Sequence, residues 1–308
     1  MHTTLIQMAL LMTGGMGWRL IQPLGLTADD TRKVLTSVVY YFFLPAMIIE
    51  VLWQANIGVQ SLQYTVLAVS CVLFGMACYW LVGRLFAFDR RCLGAMILAA
   101  GFPNTTYLGL PVLEQTFGSW ARSVVIQIDL FAVSPLLYTL GIAMVRYYGT
   151  DTSAARQPWW SFLNAPPFWA AGIAVLLNRS GMIFPDWLAG TFRLMSSAVV
   201  PLMLFSLGLA LNLQVVRVRS VPYIVPVIVI KMLLMPLFAI FLVAYLTLPD
   251  QHKAAAVLDL SMPSMVIGIV LCDRYQLDSS LYAMAVTVTT VLSLIALPIW
   301  FRLIVASL

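Results

Sequence analysis

Three ionisable residues stand inside apolar stretches of this 308-residue chain: Asp129, Lys231 and Asp259. A charge at the centre of a bilayer costs about 3 kcal/mol or more unless it is paired or hydrated, so these positions are candidates for proton or ion handling. Asp259 lies one helical turn before Pro263, about 6 Å at ~1.5 Å rise per residue, near the carbonyl-rich end of any half-helix that stops there. That setting disfavours an ionised carboxylate. Two roles are open. Asp259, with Asp129, takes up a proton or pairs with Lys231 as the protein cycles, or an Asp–Lys pair holds the bundle together without changing. Uncharged ligand-binding groups stand beside two prolines. Asn104, Thr105 and Thr106 follow Pro103, and Ser264 follows Pro263; their side chains donate and accept hydrogen bonds without the cost of a full buried charge.

Both prolines fall near the middle of a long apolar run, CLGAMILAAGFPNTTYLGLPVL and AAAVLDLSMPSMVIGIVLC. Proline lacks the backbone donor and clashes with the preceding turn, so each run is expected to be a broken helix whose freed groups are satisfied by protein or by a water-filled cavity. If the two breaks cross at mid-membrane, the half-helices after them offer unpaired N–H groups, from Asn104 to Tyr107 and from Ser264 to Ile267. Each such terminus carries roughly half a positive charge, which suits an anion. The carbonyls ending the preceding halves, around Ala100 and Leu260, suit a proton donor or cation. Substrate contact is therefore expected at the first break and coupling at the second.

The rest of the chain must position these groups in lipid. Hydrophobic residues make up 62% and charged residues 9%, with a mean hydropathy of +0.95, whereas a soluble domain carries roughly 25% charged residues. The net charge of +5 is spread singly or in pairs at segment ends, without the basic stripe and aromatic platform of a nucleic-acid binder. Cys71, Cys78, Cys92 and Cys272 have no CxxC spacing and read as small apolar groups, giving neither a disulfide framework nor a metal site. The sixteen methionines read as packing groups, His2 and His252 have no partner pattern, and Gly109, Gly208 and Gly268 read as close helix contacts. No nucleophile–base pair, metal motif or phosphate loop indicates an enzyme, and no cofactor is expected.

With spans of about 20 residues, helices are predicted near 4–22, 34–53, 61–83, 91–113, 120–147, 165–178, 187–211, 221–247, 253–273 and 279–305. The first, preceded by MHTT without Lys or Arg, is read as a span and not a cleaved signal. The sixth is short and contains Pro166 and Pro167. Arg19, Arg32, Lys33, Arg84, Arg90, Arg91, Arg146, Arg156, Arg217, Arg219 and Arg274 fall on one side; Arg122, Arg179, Arg193, Lys253 and Arg302 fall on the other. This bias puts the loops after odd-numbered helices in the cytoplasm and both termini outside. Trp53, Trp80, Trp120, Trp159, Trp160, Trp187 and Trp300 fall near span ends as an interfacial belt, and Glu50, near the outer end of its span, is read as structural.

Ten spans divide into two halves of five, and an odd number per half inverts the second relative to the first. Pro103 and Pro263 each precede a serine, Ser119 and Ser279, by the same distance, and Pro45 and Pro201 form a second corresponding pair. The expected fold is an all-α polytopic membrane protein: a first repeat over 1–147, a short cytoplasmic connection over 148–163 and an inverted second repeat over 164–308, with the fourth and ninth helices broken and crossed.

The stretch FPNTTYLGLPVLEQTFG, the segment IKMLLMP at 230–236 and the tail MPSMVIGIVLCDRYQLDSSLYAMAVTVTTVLSLIALPIW resemble the auxin efflux carrier family, over nearly the whole chain. The resemblance implies a transport domain holding the crossed helices, a scaffold domain that mediates dimerisation, and elevator-type alternating access. It also implies substrate-carboxylate contact at Pro103 and Asn104, with Pro263 at the second crossover. Gln60 and Tyr64 stand where plant auxin carriers have an Asp and a Lys, and the long cytoplasmic loop of many plant members is short here. A bacterial permease of the malonate-carrier type is therefore the better match.

The expected function is a secondary transporter, or permease, of a small organic anion, a carboxylate, in the inner membrane of a bacterium. Its partners are the anion, membrane lipid, a proton or sodium ion, and a second copy through the scaffold helices. Two alternatives are a sodium-coupled carrier of the bile-acid type and a receptor or sensor without net flux.

Overall fold

The computed structural model describes residues 2–55, 57–149, 165–211 and 218–307. Arg156, Trp159, Trp160, Arg217 and nearly all of the connection expected over 148–163 lie outside the described residues. The described chain is helical: α1 (His2–Ile21), α2 (Ala28–Trp53), α3 (Val59–Leu85), α4 (Arg90–Gly101), α5 (105–117) and α6 (Ala121–Tyr148), then α7 (Pro166–Arg179), α8 (Asp186–Ala210), α9 (Val221–Val243), α10 (Asp250–Leu260), α11 (Gly268–Arg274) and α12 (Ser279–Ser307). Among the described residues, β-type pairing is confined to one antiparallel bridge between Pro103 and Ser264.

Six of these helices, α2, α3, α6, α8, α9 and α12, are long and apolar enough to cross a membrane. Two further expected spans are split, the fourth into α4 and α5 and the ninth into α10 and α11. The short sixth segment is a continuous helix of 14 residues. Pro166 and Pro167 do not interrupt it, because they occupy its first turn, where the missing donors have no intrahelical partner in any case.

Four prolines elsewhere share one mark, whereas Pro201, Pro226 and Pro298 lie within regular α-helix. Wide π-type turns over 39–43, 105–109, 129–133 and 230–234 each end two residues before a proline, namely Pro45, Pro111, Pro135 and Pro236. A proline cannot bond the carbonyl four residues back and its ring crowds that carbonyl, so the preceding turn expands. Asp129 and Lys231 both lie in such turns. One freed carbonyl has a visible remedy. Pro236 cannot donate to Met232, and the Trp300 indole N–H donates to that oxygen instead, at 2.7 Å. Trp300 is thus turned inward, as is Trp53, which donates to the Met182 carbonyl and stacks on Phe184. These two are not part of an exposed belt, whereas Trp80 and Trp187 are exposed.

Packing separates two groups of helices. In one, α1 lies along α8, and α2 lies along α7 and α8. Close approach of α1 and α8 depends on Gly208, where an added Cβ would sit 2.0 Å from the Met12 carbonyl oxygen. In the other group, α3, α4, α6, α9, α10 and α12 pack around the two breaks.

Candidate functional site

The first break is set up by α4. Asp89 caps that helix by accepting from the Arg91 and Cys92 amides, and every residue from Leu93 to Gly101 is buried. Phe102 then turns extended, with φ −96° and ψ 117°, as the residue before a proline prefers. The second break follows α10, whose residues from Ala254 to Leu260 are all buried.

The two breaks close on each other. Asn104 N–H donates to the Pro263 carbonyl at 2.8 Å and Met265 N–H to the Phe102 carbonyl at 3.1 Å. Ser264 Oγ donates to the Ala99 carbonyl at 2.8 Å, and Ser264 N–H to Thr289 Oγ1 at 3.2 Å. The amides of Asn104, Ser264 and Met265 are therefore not unpaired donors awaiting a ligand, as the sequence reading has them. Buried backbone must be satisfied, and each break provides for the other. Pro103 and Ser264 form the bridge itself, Pro263 supplies an acceptor, and Ser264 is wholly enclosed.

What remains toward a ligand is the Asn104 side chain. It is 1% exposed, its Nδ2 has no hydrogen-bond partner, and it lines a cavity of about 80 Å³. Thr106 and Asp129 line the same space, but Pro103, Thr105, Pro263, Ser264, Lys231 and Asp259 do not. Asp129 accepts from Thr105 Oγ1 at 3.3 Å, Thr106 Oγ1 at 2.5 Å and Ser134 Oγ at 3.0 Å. The first turn after Pro103 thus already faces a carboxylate belonging to the protein.

Across the cavity stand Tyr40, Leu44 and Ile48 of α2, Phe168 of α7 and Met203 of α8. Tyr40 is hydrogen-bonded to Tyr138 of α6. The cavity therefore lies in the seam between the two helix groups. Sequence reading missed this wall, because its residues are ordinary apolar and aromatic side chains that only tertiary packing brings to the breaks.

The buried charges do not assemble as a pair. Lys231 is fully buried, with its ammonium 3.6 Å from Met235 Sδ, and among the described residues no carboxylate forms an ion pair with it. The Asp–Lys pair open from the sequence is absent because Asp259 turns elsewhere. It faces Gly109, where an added Cβ would lie 2.1 Å from its Oδ1. Asp259 is fully buried and neither of its oxygens has a hydrogen-bond partner. Among the described residues no three His, Cys, Asp or Glu side chains group as a metal site.

Comparison with known proteins bears on this arrangement. The sequence model of a family described as membrane transport protein matches residues 1–301. An uncharacterized transporter of Methanothermobacter thermautotrophicus is 30% identical over 289 residues, covering 91% of this chain and 92% of the relative. An uncharacterized transporter of Methanocaldococcus jannaschii is 26% identical, covering 90% and 91%. The uncharacterized transporter YfdV of Escherichia coli K12 is 22% identical, covering 89% and 88%.

Proposed function

Because the chain belongs to the membrane transport protein family, that of the auxin efflux carriers, we propose that it is a secondary transporter moving a small organic anion, a carboxylate, across the cytoplasmic membrane of a bacterium. One observation carries the choice of ligand: the enclosed Asn104 amide, a buried donor without an acceptor, borders a cavity between two helix groups. An unsatisfied buried donor costs about 1–3 kcal/mol, and a substrate carboxylate removes that cost. The Asn104 amide holds the anion, and Thr106 lines the same space with its hydroxyl on Asp129. Pro103, Thr105, Pro263 and Ser264 keep the break in shape behind them.

In this reading ten spans form two inverted repeats, 1–147 and 164–308, with both termini outside, in keeping with the bias of basic residues. The group of α1, α2, α7 and α8 is the fixed scaffold through which two copies pair, and the remaining helices carry the site past it as an elevator. Asp259 and Asp129 take part in coupling. Asp259, enclosed without a donor, must be neutralised by a proton or a cation when the site is shut; Asp129 is held by the Thr105, Thr106 and Ser134 hydroxyls, and Lys231 steadies the bundle. The bare oxygens of Asp259 are open to a proton or to a sodium ion; replacing sodium by choline in proteoliposome uptake separates the two, since proton coupling survives the swap.

The test is Asn104→Ala in purified protein, screened by thermal shift against mono- and dicarboxylates. The wild type is expected to be stabilised by its ligand, and the variant to fold normally and lose roughly tenfold or more in affinity, a loss of about 1.4 kcal/mol. Unchanged affinity rejects this placement.

A further inference from the structure

A larger cavity of about 540 Å³ adjoins the central one. The two share Tyr40, Tyr107, Tyr138 and Ile267, which therefore form the partition between them. By contrast, the cavity of about 500 Å³ near Glu50, Trp120 and His252 shares no lining residue with the central space. Of these two cavities, the central site adjoins the first and not the second.

That larger cavity has an uneven charge. Arg32 of α2 and Arg274 at the end of α11 line it, and among its described lining residues none is acidic. Arg32 is largely withdrawn from solvent, its side chain 17% exposed; its closest carboxylate contact is Asp29 at 3.9 Å, and its Nε has no hydrogen-bond partner. Among the described residues no carboxylate pairs with Arg274, which lies over the Tyr275 ring. Arg32, withdrawn from solvent, and Arg274, which is solvent-exposed, both lend the concave cleft a positive potential, and their planar forks match a carboxylate. They also come from opposite sides of the seam, Arg32 from the group of α1, α2, α7 and α8 and Arg274 from the group around the breaks.

We propose that this cavity is a vestibule with a carboxylate-binding station of its own, formed by Arg32 and Arg274, from which an anion passes the Tyr40, Tyr107 and Tyr138 partition to Asn104. The station rests on the reading of the protein as an anion carrier, but its electrostatics can be tested without knowing the substrate. Ser37, which also lines the vestibule, is replaced by cysteine in a background where the two incompletely buried cysteines, Cys78 and Cys92, are alanine. Rates of modification by anionic sulfonatoethyl and cationic trimethylammonioethyl methanethiosulfonates are then compared in reconstituted protein. The anionic reagent is expected to be favoured, and Arg32→Gln with Arg274→Gln to lower that preference about tenfold and to remove its salt dependence. An unchanged preference overturns the proposal. Thr36→Cys, on the same wall, replaces Ser37→Cys if the latter elutes as aggregate. For any carboxylate whose binding Asn104→Ala weakens, the arginine variants are expected to raise the half-saturation concentration of uptake and leave its maximal rate unchanged. Loss of the Asn104 effect with the reagent preference intact rejects the central site alone.

Discussion

Asp129 occupies the position that helix-end electrostatics reserve for a bound anion. The hydroxyls of Thr105 and Thr106, first in line after Pro103, point at its carboxyl group, so a ligand at the Asn104 amide has this carboxyl group as its neighbour. The sequence marks Asp129 as an isolated charge in a span but says nothing of this capping, since Thr105 and Thr106 lie more than twenty residues away in the chain. Lys231 teaches the same lesson in reverse: its type and depth stand out in the sequence, yet its neighbour is a methionine sulfur. A residue outside the spans gives a pH test. His252, in the first turn of α10, stacks on Trp120 and shares a hydrogen bond with Tyr64, and burial holds its pKa below the ordinary 6.5. Above pH 6.5 the ring is neutral in folded and unfolded chains alike. As pH falls below that value the unfolded chain takes up the proton first, so folded stability declines. The melting temperature of His252→Gln is expected to fall less between pH 7 and pH 5 than that of the wild type.

At the scale of elements, prolines are both the clearest sequence signal and the source of the main surprise. Pro103 and Pro263 are legible as breaks because no other residue so plainly lacks a donor in mid-span. The mutual closure of those breaks is not legible, because it depends on backbone groups that every residue possesses. Pro45, Pro111, Pro135 and Pro236 widen helices without breaking them, and at Pro236 a neighbouring side chain absorbs the freed carbonyl. Trp300 does so for Met232. Trp300→Phe keeps most of the buried ring and strands that carbonyl, so a loss of about 1–3 kcal/mol is expected, read as a lowered thermal midpoint; Pro236→Ala in the same chain is expected to recover part of it by restoring the helical donor.

For the whole molecule, membrane embedding and helical class follow directly from composition, whereas the seam that creates the cavity does not. It runs between helices from both halves of the sequence, α1 and α2 with α7 and α8 on one side, so neither half contains a complete wall. Residues 1–149 and 165–308, produced as separate chains, are expected to yield folded protein when made together and aggregate when made alone, as judged by co-purification and monodisperse elution. The bonds from Asn104 to Pro263 and from Met265 to Phe102 add a constraint in time. The ~160 residues separating the two prolines take about 8–32 s to synthesise at roughly 5–20 residues per second. Throughout that interval the Phe102 carbonyl and the Asn104 amide lack these partners, which only the last fifth of the chain brings. The ribosome thus finishes most of this protein before its centre can close, which makes late truncations lethal to the fold's beginning as well as to its end.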